Sequence, residues 1–206
     1  MTNIRQRLLH QPAVYRTFKY LIAPPTVVGT VVSDHLNVPS GARVLDVGCG
    51  FGDYAGFFAD QKYTGIDHNK SYIEMARSLN PGADFLVADV ADPVICDSGP
   101  YDLVFLSGVL HHLRDDQVRA LATNVAAVLH PDGRFVAAEP VFHEGQRLSS
   151  RLLIAADRGQ SVRDERGYTS LLDDAFGTVN ATYRFDLLRV PYSHLIIEAR
   201  SRADQE

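Results

Sequence analysis

Five apolar runs in this 206-residue chain each stop at residues able to do chemistry. The run VLDV, residues 44–47, enters a glycine turn made of Gly48, Cys49, Gly50, Phe51 and Gly52. YTGID ends at Asp67, with His68 next. FLVAD ends at Asp89, with Val90 next. YDLVFLS ends at Ser107 and leads into Gly108, Val109, Leu110, His111 and His112, and RFVAAE ends at Glu139. A glycine turn after a strand lets the backbone approach a ligand closely, and turns of this kind commonly cradle phosphate. Here an acid stands on each side of the turn, Asp46 and Asp53, and no lysine lies in it. With Asp67 and Asp89 at neighbouring strand ends, a phosphate would be badly placed, because like charges disfavour one another.

Something must hold these groups together, and the hydrophobic pattern says what. ARVLDV, KYTGID, ADFLVAD, YDLVFLS and RFVAAE read as strands, and their near-continuous apolar character suits burial on both faces. Between them GDYAGFFAD reads as a helix, as does NKSYIEMARSL, with Asn69 at its N-cap. RDDQVRALATNVAAVLH is the clearest helix, with Val118, Leu121, Val125 and Leu129 on one stripe, Asp115 or Asp116 at its start, and the turn Pro131-Asp132-Gly133 after it. ADPVICDSGP reads mostly as loop. Regular alternation of strand and helix predicts an α/β fold with a mostly parallel sheet covered by helices on both faces. In such sheets ligands bind at the carboxyl ends of the strands, where the residues named above collect.

Residues 1–38 read as a helical cap, two helices over about 13–36 divided by Pro24-Pro25, the second with an apolar face of Val27, Val28, Val31, Val32 and Leu36. Residues 40–140 form the core. Residues 140–168 are an irregular, charged insertion with one helix from Arg147 to Ala156, and 169–200 supply a short helix near Tyr168–Ala175 and two strands, about 178–187 and 192–199. The whole reads as one domain. The balance of 20 Lys+Arg against 25 Asp+Glu gives a net charge of −5 and leaves no basic stripe for nucleic acid. Cys49 and Cys96 form neither a metal cluster nor a disulfide framework, so a reducing, cytoplasmic setting is expected, with no metal. No apolar run is long enough to span a bilayer, and no membrane partner is expected.

The motifs together resemble the class I S-adenosylmethionine-dependent methyltransferases, particularly the small ubiquinone/menaquinone-biosynthesis and general methyltransferase type. VLDVGCGFG, YTGIDHN, FLVADV, YDLVFLSGVLHHL and LHPDGRFVAAE follow that family's order and spacing over about residues 40–140. The resemblance implies a Rossmann-like sheet of seven strands with the last one antiparallel, and S-adenosylmethionine as cofactor. It places Asp46, Gly48, Cys49, Gly50 and Gly52 at the methionine portion, whose amino group and sulfonium suit an acid and no lysine. Asp67 is placed on the ribose hydroxyls, His68 beside the adenine, Asp89 and the Val90 backbone at the adenine edge, and Ser107 at the end of the fourth strand.

The resemblance also implies methyl transfer to an oxygen, nitrogen or carbon of a small-molecule acceptor by a monomer or homodimer. A hydroxyl or ammonium acceptor must lose a proton, and His111, His112, Glu139, Tyr192 and His194 are the candidates to take it, with His143 as a lid residue. Adjacent histidines point different ways, so one of His111 and His112 is expected to face the acceptor. Tyr192 and His194, two residues apart, share one side of the last strand. Arg147, Arg151, Arg158, Arg163 and Arg166 of the insertion either pair an acidic acceptor or offset Asp157, Asp164 and Glu165 at the surface. Tyr15, Phe18 and Tyr20 either close the pocket from the other side or, for Phe18 at helical spacing above all, pack in the core. No Asn/Asp-Pro-Pro-Tyr/Phe or Pro-Cys motif follows the fourth strand, and FLSGV stands there instead, which argues against methylation of DNA bases. Two other readings share these motifs: a nicotinamide-dependent oxidoreductase, disfavoured because GCGFG is not G-x-G-x-x-G, and a protein that binds S-adenosylmethionine without methylating.

Overall fold

A chain that alternates buried strands with amphipathic helices has one economical solution, a sheet between two helical layers. The computed structural model describes residues 23–89, 99–156 and 161–202 and adopts that solution. The strands are β1 (Arg43–Val47), β2 (Lys62–Asp67), β3 (Asp84–Val87), β4 (Tyr101–Ser107), β5 (Leu129–Pro140), β6 (Thr178–Arg184) and β7 (His194–Arg200). Their order is β3-β2-β1-β4-β5-β7-β6, with β7 antiparallel to both neighbours and all other pairings parallel. The expected seven-stranded sheet with an antiparallel last strand is therefore present.

Alternate residues of the central strands feed opposite layers. Leu45, Val47, Val104 and Leu106 pack with α3 (Asp115–Val128) through its Val118, Leu121 and Val125. Val44, Leu103 and Phe105 pack on the other face with α1 (Val27–His35), α2 (Lys70–Leu79) and the rings of Tyr54, Phe58 and Tyr63. Asp46 belongs to this second face, since it lies two residues from Val44 in the same strand. Asn69 caps α2 as expected, accepting from the Ser71 and Tyr72 amides.

Four expectations change. GDYAGFFAD is not a helix but a run of turns with a 3-10 turn at Ala55–Phe58. Gly56 and two aromatics give it poor helical propensity, and the rings of Tyr54 and Phe58 gain more by docking on Phe105, at 5.1 and 5.7 Å. β5 starts at Leu129, before the Pro131-Asp132-Gly133 turn, and the ladder jumps from Leu129 to Arg134 as the turn bulges outward. The short helix α5 runs Glu165–Thr169, earlier than expected, because Asp164 caps it by accepting from the Gly167 amide at 2.7 Å. The last two strands are also trimmed, β6 ending at Arg184 and β7 starting at His194. The insertion helix α4 is found at Leu148–Ala155. The expected first helix of the cap, with Tyr15, Phe18 and Tyr20, lies outside the described residues, as do Val90, Cys96, Asp157 and Arg158.

Candidate active site

The strand order reverses between β1 and β4, and there the two loops that follow these strands touch. Gly48 has a φ of +75°, and a Cβ placed on it would lie 2.5 Å from Val109 Cγ2. No side chain fits, so glycine is required by both conformation and contact. Gly50 also has a positive φ, +56°, but a Cβ there would meet nothing within 4 Å. The backbone around Gly50 thus opens onto space, as a ligand cradle requires.

Asp67, at the end of β2 and 7% exposed, spans this cradle. Its Oδ2 accepts from the Gly50 amide at 3.0 Å and its Oδ1 from the Asn69 amide at 2.8 Å. These bonds fix the carboxylate and leave lone pairs on both oxygens for a diol. His68 is exposed, with Nδ1 3.5 Å from Asp67 Oδ1. Asp89 lies exposed just past the end of β3. Ser107, exposed at the end of β4, shares a hydrogen bond with the Tyr54 hydroxyl at 3.2 Å.

Asp46 is held in a way the sequence does not reveal. It is 2% exposed, and Tyr63 on β2 donates its hydroxyl to Oδ2 at 2.6 Å. Register explains the contact: Val44 is opposite Tyr63 across the parallel pair, so the long phenol reaches one pleat further along the same face. Burial and then the Asp46 carboxylate push the Tyr63 hydroxyl well above its ordinary range. The Cys49 thiol is also pushed up, by burial first and then by Asp46 and Asp67. Those two acids therefore create a negative potential in the turn, which resists a thiolate and favours a cationic ligand. The residues present suit a ligand with a diol at one end and ammonium and sulfonium charge at the other.

Across the loop contact lies a second constellation. Glu139 near the end of β5 has no solvent exposure. Its Oε1 accepts from the amides of Val109 and Leu110 at 2.9 and 2.8 Å, and its Oε2 from the His111 amide at 3.3 Å and His111 Nδ1 at 2.7 Å. Four converging donors are what a buried carboxylate needs in place of water. Because that oxygen is an acceptor, Nδ1 carries the proton and Nε2 is the basic nitrogen of the ring. His111 is 4% exposed and sits with His112 in a 3-10 turn, Leu110–His112. Its Cε1 edge lies over Gly108, 3.5 Å from where a Cβ would be. Glu139 is one of the candidates to take the acceptor's proton, which would have it face the substrate. It instead faces inward and acts on His111. His112 is exposed, its ring 4.1 Å from that of His111.

The rim comes from the insertion and the last strand. Tyr192 and His194 share a side, with ring centroids 4.9 Å apart, and His194 pairs with Pro140 in the ladder, next to Glu139. His143 donates from Nδ1 to the Glu144 carbonyl at 2.8 Å and accepts at Nε2 from Ser193 at 3.1 Å, so it belongs to a polar knot joining the insertion to the start of β7. Arg147, Arg151 and Arg166 are exposed, with the Arg151 guanidinium 5.6 Å from the Phe142 ring centre, while Arg163 turns inward. No group of three metal-ligating side chains occurs among the described residues.

Comparison with known proteins fits this geometry. Residues 44–133, which include the glycine turn, Asp67 and the two histidines, match the methyltransferase domain family. Over these residues the chain is similar to methyltransferases, which supports the resemblance to the class I S-adenosylmethionine-dependent family. Among curated relatives, phosphoethanolamine N-methyltransferase 1 of Triticum aestivum is 29% identical over 166 residues, covering 76% of this chain and 33% of that protein. Trans-aconitate 2-methyltransferase of Variovorax paradoxus is 29% identical over 126 residues, covering 59% and 46%. The chain thus spans between about a third and a half of the length of these relatives. Among solved structures, mitomycin 7-O-methyltransferase superposes with a TM-score of 0.69 at 19% identity, covering 97% of this chain and 61% of that one. The cofactor of that family is S-adenosylmethionine, and the accepting carboxylate of Asp67 beside the negative turn fits such a group.

Proposed function

We propose that this methyltransferase acts on a hydroxyl oxygen of a small-molecule acceptor, with His111 taking the proton. The observation that carries this reading is the 2.7 Å hydrogen bond from His111 Nδ1 to the fully buried Glu139. A nitrogen acceptor that binds as the free amine needs no base at the moment of transfer, and a carboxylate acceptor has no proton to lose. A hydroxyl does, and a histidine locked with Nε2 unprotonated is suited to accept it. When bound, S-adenosylmethionine supplies an electrophilic methyl group: the oxygen–carbon bond forms as the sulfur–carbon bond breaks, and sulfur keeps the electron pair.

The chain's own residues do the rest. Asp67, Gly50 and Gly48 bind and orient the donor, with Asp46 and Tyr63 setting the charge of the turn. The contact of Gly48 with Val109 ties the donor loop to the turn that bears His111, so alignment of the two partners is built into the fold. His111 holds the acceptor proton at Nε2, and Glu139 stabilises the imidazolium that forms. The insertion and the start of β7, with His143, Tyr192 and His194, wall the acceptor side against water. His68 and Asp89 contribute to the adenosine end. The setting read here is reducing and cytoplasmic, for a monomer or homodimer; the buried free thiol of Cys49 supports the reducing part of it, and no helix among the described residues is long and apolar enough to cross a membrane.

A tritium-labelled methyl donor offered with panels of phenols, sugars, amines and carboxylic acids tests this. Labelled ethers are the expected products. Labelling confined to amines or carboxylates would overturn the hydroxyl reading, and binding of NADH without binding of S-adenosylhomocysteine would overturn the cofactor.

A further inference from the structure

Arg163 fulfils neither role expected of the insertion's arginines, since it points at neither an acceptor nor open solvent. Its side chain is 10% exposed. Nη1 donates to the carbonyls of Leu110 and Ser161 at 3.1 and 2.9 Å, and Nη2 to the Leu113 carbonyl at 2.9 Å. Nε and Nη2 both reach Asp115 Oδ1, at 3.1 and 2.6 Å, and the guanidinium lies 5.5 Å from the Tyr168 ring centre. Leu110 and Leu113 bracket His111 and His112, so the fork grips the two ends of the turn that carries them.

The same short segment also holds the other half of the pair. The Ser161 amide donates to the carbonyl of His111 at 3.0 Å, and the Phe142 amide donates to the carbonyl of Arg163 at 3.1 Å. The Tyr168 hydroxyl donates to the carbonyl of Pro140, the residue after Glu139, at 3.0 Å. Residues 161–168 therefore clasp both the turn of His111 and the strand end of Glu139.

We propose that Arg163 is a positioning residue that sets the His111–Glu139 pair from the outer side, as the Val109 and Leu110 amides set it from the inner side. This rests on the reading of His111 as the proton acceptor. The planar fork is essential, because one donor group must span three carbonyls and a carboxylate at once, which an ammonium on a flexible stem does not reproduce. A small displacement of the turn would lengthen the 2.7 Å bond that selects the tautomer of His111.

The imidazole nitrogens report this without any acceptor. In nitrogen-15-labelled protein saturated with S-adenosylhomocysteine, long-range proton–nitrogen spectra should show His111 as a single tautomer, protonated at Nδ1. In Arg163→Lys we expect that pattern to broaden towards a tautomer mixture, while the sheet amide spectrum and the S-adenosylhomocysteine affinity stay within about twofold of the parent. Asp115→Asn, which loosens the same fork from the start of α3, should give a smaller change in the same direction. An unaltered His111 pattern in folded Arg163→Lys would overturn the proposal and leave Arg163 as a fold staple. Should that variant not fold, Asp115→Asn decides by the same criterion. A single-tautomer pattern in the parent that broadens in Arg163→Lys, beside a panel that yields no ethers, would instead sink the hydroxyl reading and leave the positioning of the His111–Glu139 pair standing.

Discussion

Replacing Glu139 with Gln changes few atoms and should invert the chemistry of the site. The amide oxygen is expected to keep the two donors that Oε1 holds now, Val109 and Leu110, because the opposite orientation would set the NH2 group against both. The NH2 group then faces the His111 amide and His111 Nδ1, where the carboxylate accepts from both at 3.3 and 2.7 Å. The backbone amide loses its partner, and the ring recovers a bond only by moving its proton to Nε2. Hydrogen bonds to a charged group contribute about 1.5–3 kcal/mol against about 0.5–1.5 for neutral pairs, and an orphaned donor costs about 1–3 kcal/mol. Relief from burying a charge offsets part of this. A net loss of about 2 kcal/mol follows, or a fall in Tm of roughly 4–8 °C for a domain of this size. The catalytic loss should be larger, on the order of 10²–10⁴ in kcat, because a ring protonated at Nε2 is not a base. The assay is ether formation at saturating donor, paired with calorimetric titration of S-adenosylhomocysteine, whose affinity should stay within about twofold. Retention of a third or more of the parent kcat on a hydroxyl acceptor would refute the assignment of His111.

Other perturbations probe the donor side and the frame. Gly48→Ala should destabilise the fold by about 1–3 kcal/mol, since an L residue at φ +75° is strained and its Cβ meets Val109; adding Val109→Ala should recover only part of this in urea melts, and full recovery would show that conformation is not limiting. Asp67→Ala should weaken S-adenosylhomocysteine binding by about 1.5–3 kcal/mol through lost charge-assisted bonds, and unchanged affinity by titration calorimetry would mean the ribose lies elsewhere. His35 accepts from Arg184 at 2.8 Å, and burial, then Arg184, lower its pKa below the usual 6.5. Below pH 6.5 the unfolded chain takes up this proton before the folded one, so stability should decline as pH falls towards the folded value. His35→Gln should flatten that slope, and an NMR titration of His35 with a midpoint above 6.5 would contradict the sign.

The sequence by itself determined where the strand-end acids and glycines of the candidate site lie. Strand ends are legible because a buried parallel strand is a local apolar run, and the acid or glycine that stops it is local too. Asp46, Asp67, Gly48 and Gly50 could therefore be placed before any fold was known. The helix expected after Gly52 failed where local propensity competes with docking, since Tyr54 and Phe58 gain more from Phe105 than from helical bonds. The partners of the candidate bases were decided only in three dimensions. His111 and His112 are equivalent in the sequence, and the choice between them is made by Glu139, 28 residues away and brought close by the β4–β5 pairing. Tyr63 reaches Asp46 through a register that no motif encodes. Arg163 looks like one of several surface arginines until the insertion folds back over the turn of His111. Hydrogen bonds between distant segments depend on which faces meet. That is set by packing of the whole sheet, so only the tertiary structure shows which of the two histidines Glu139 holds.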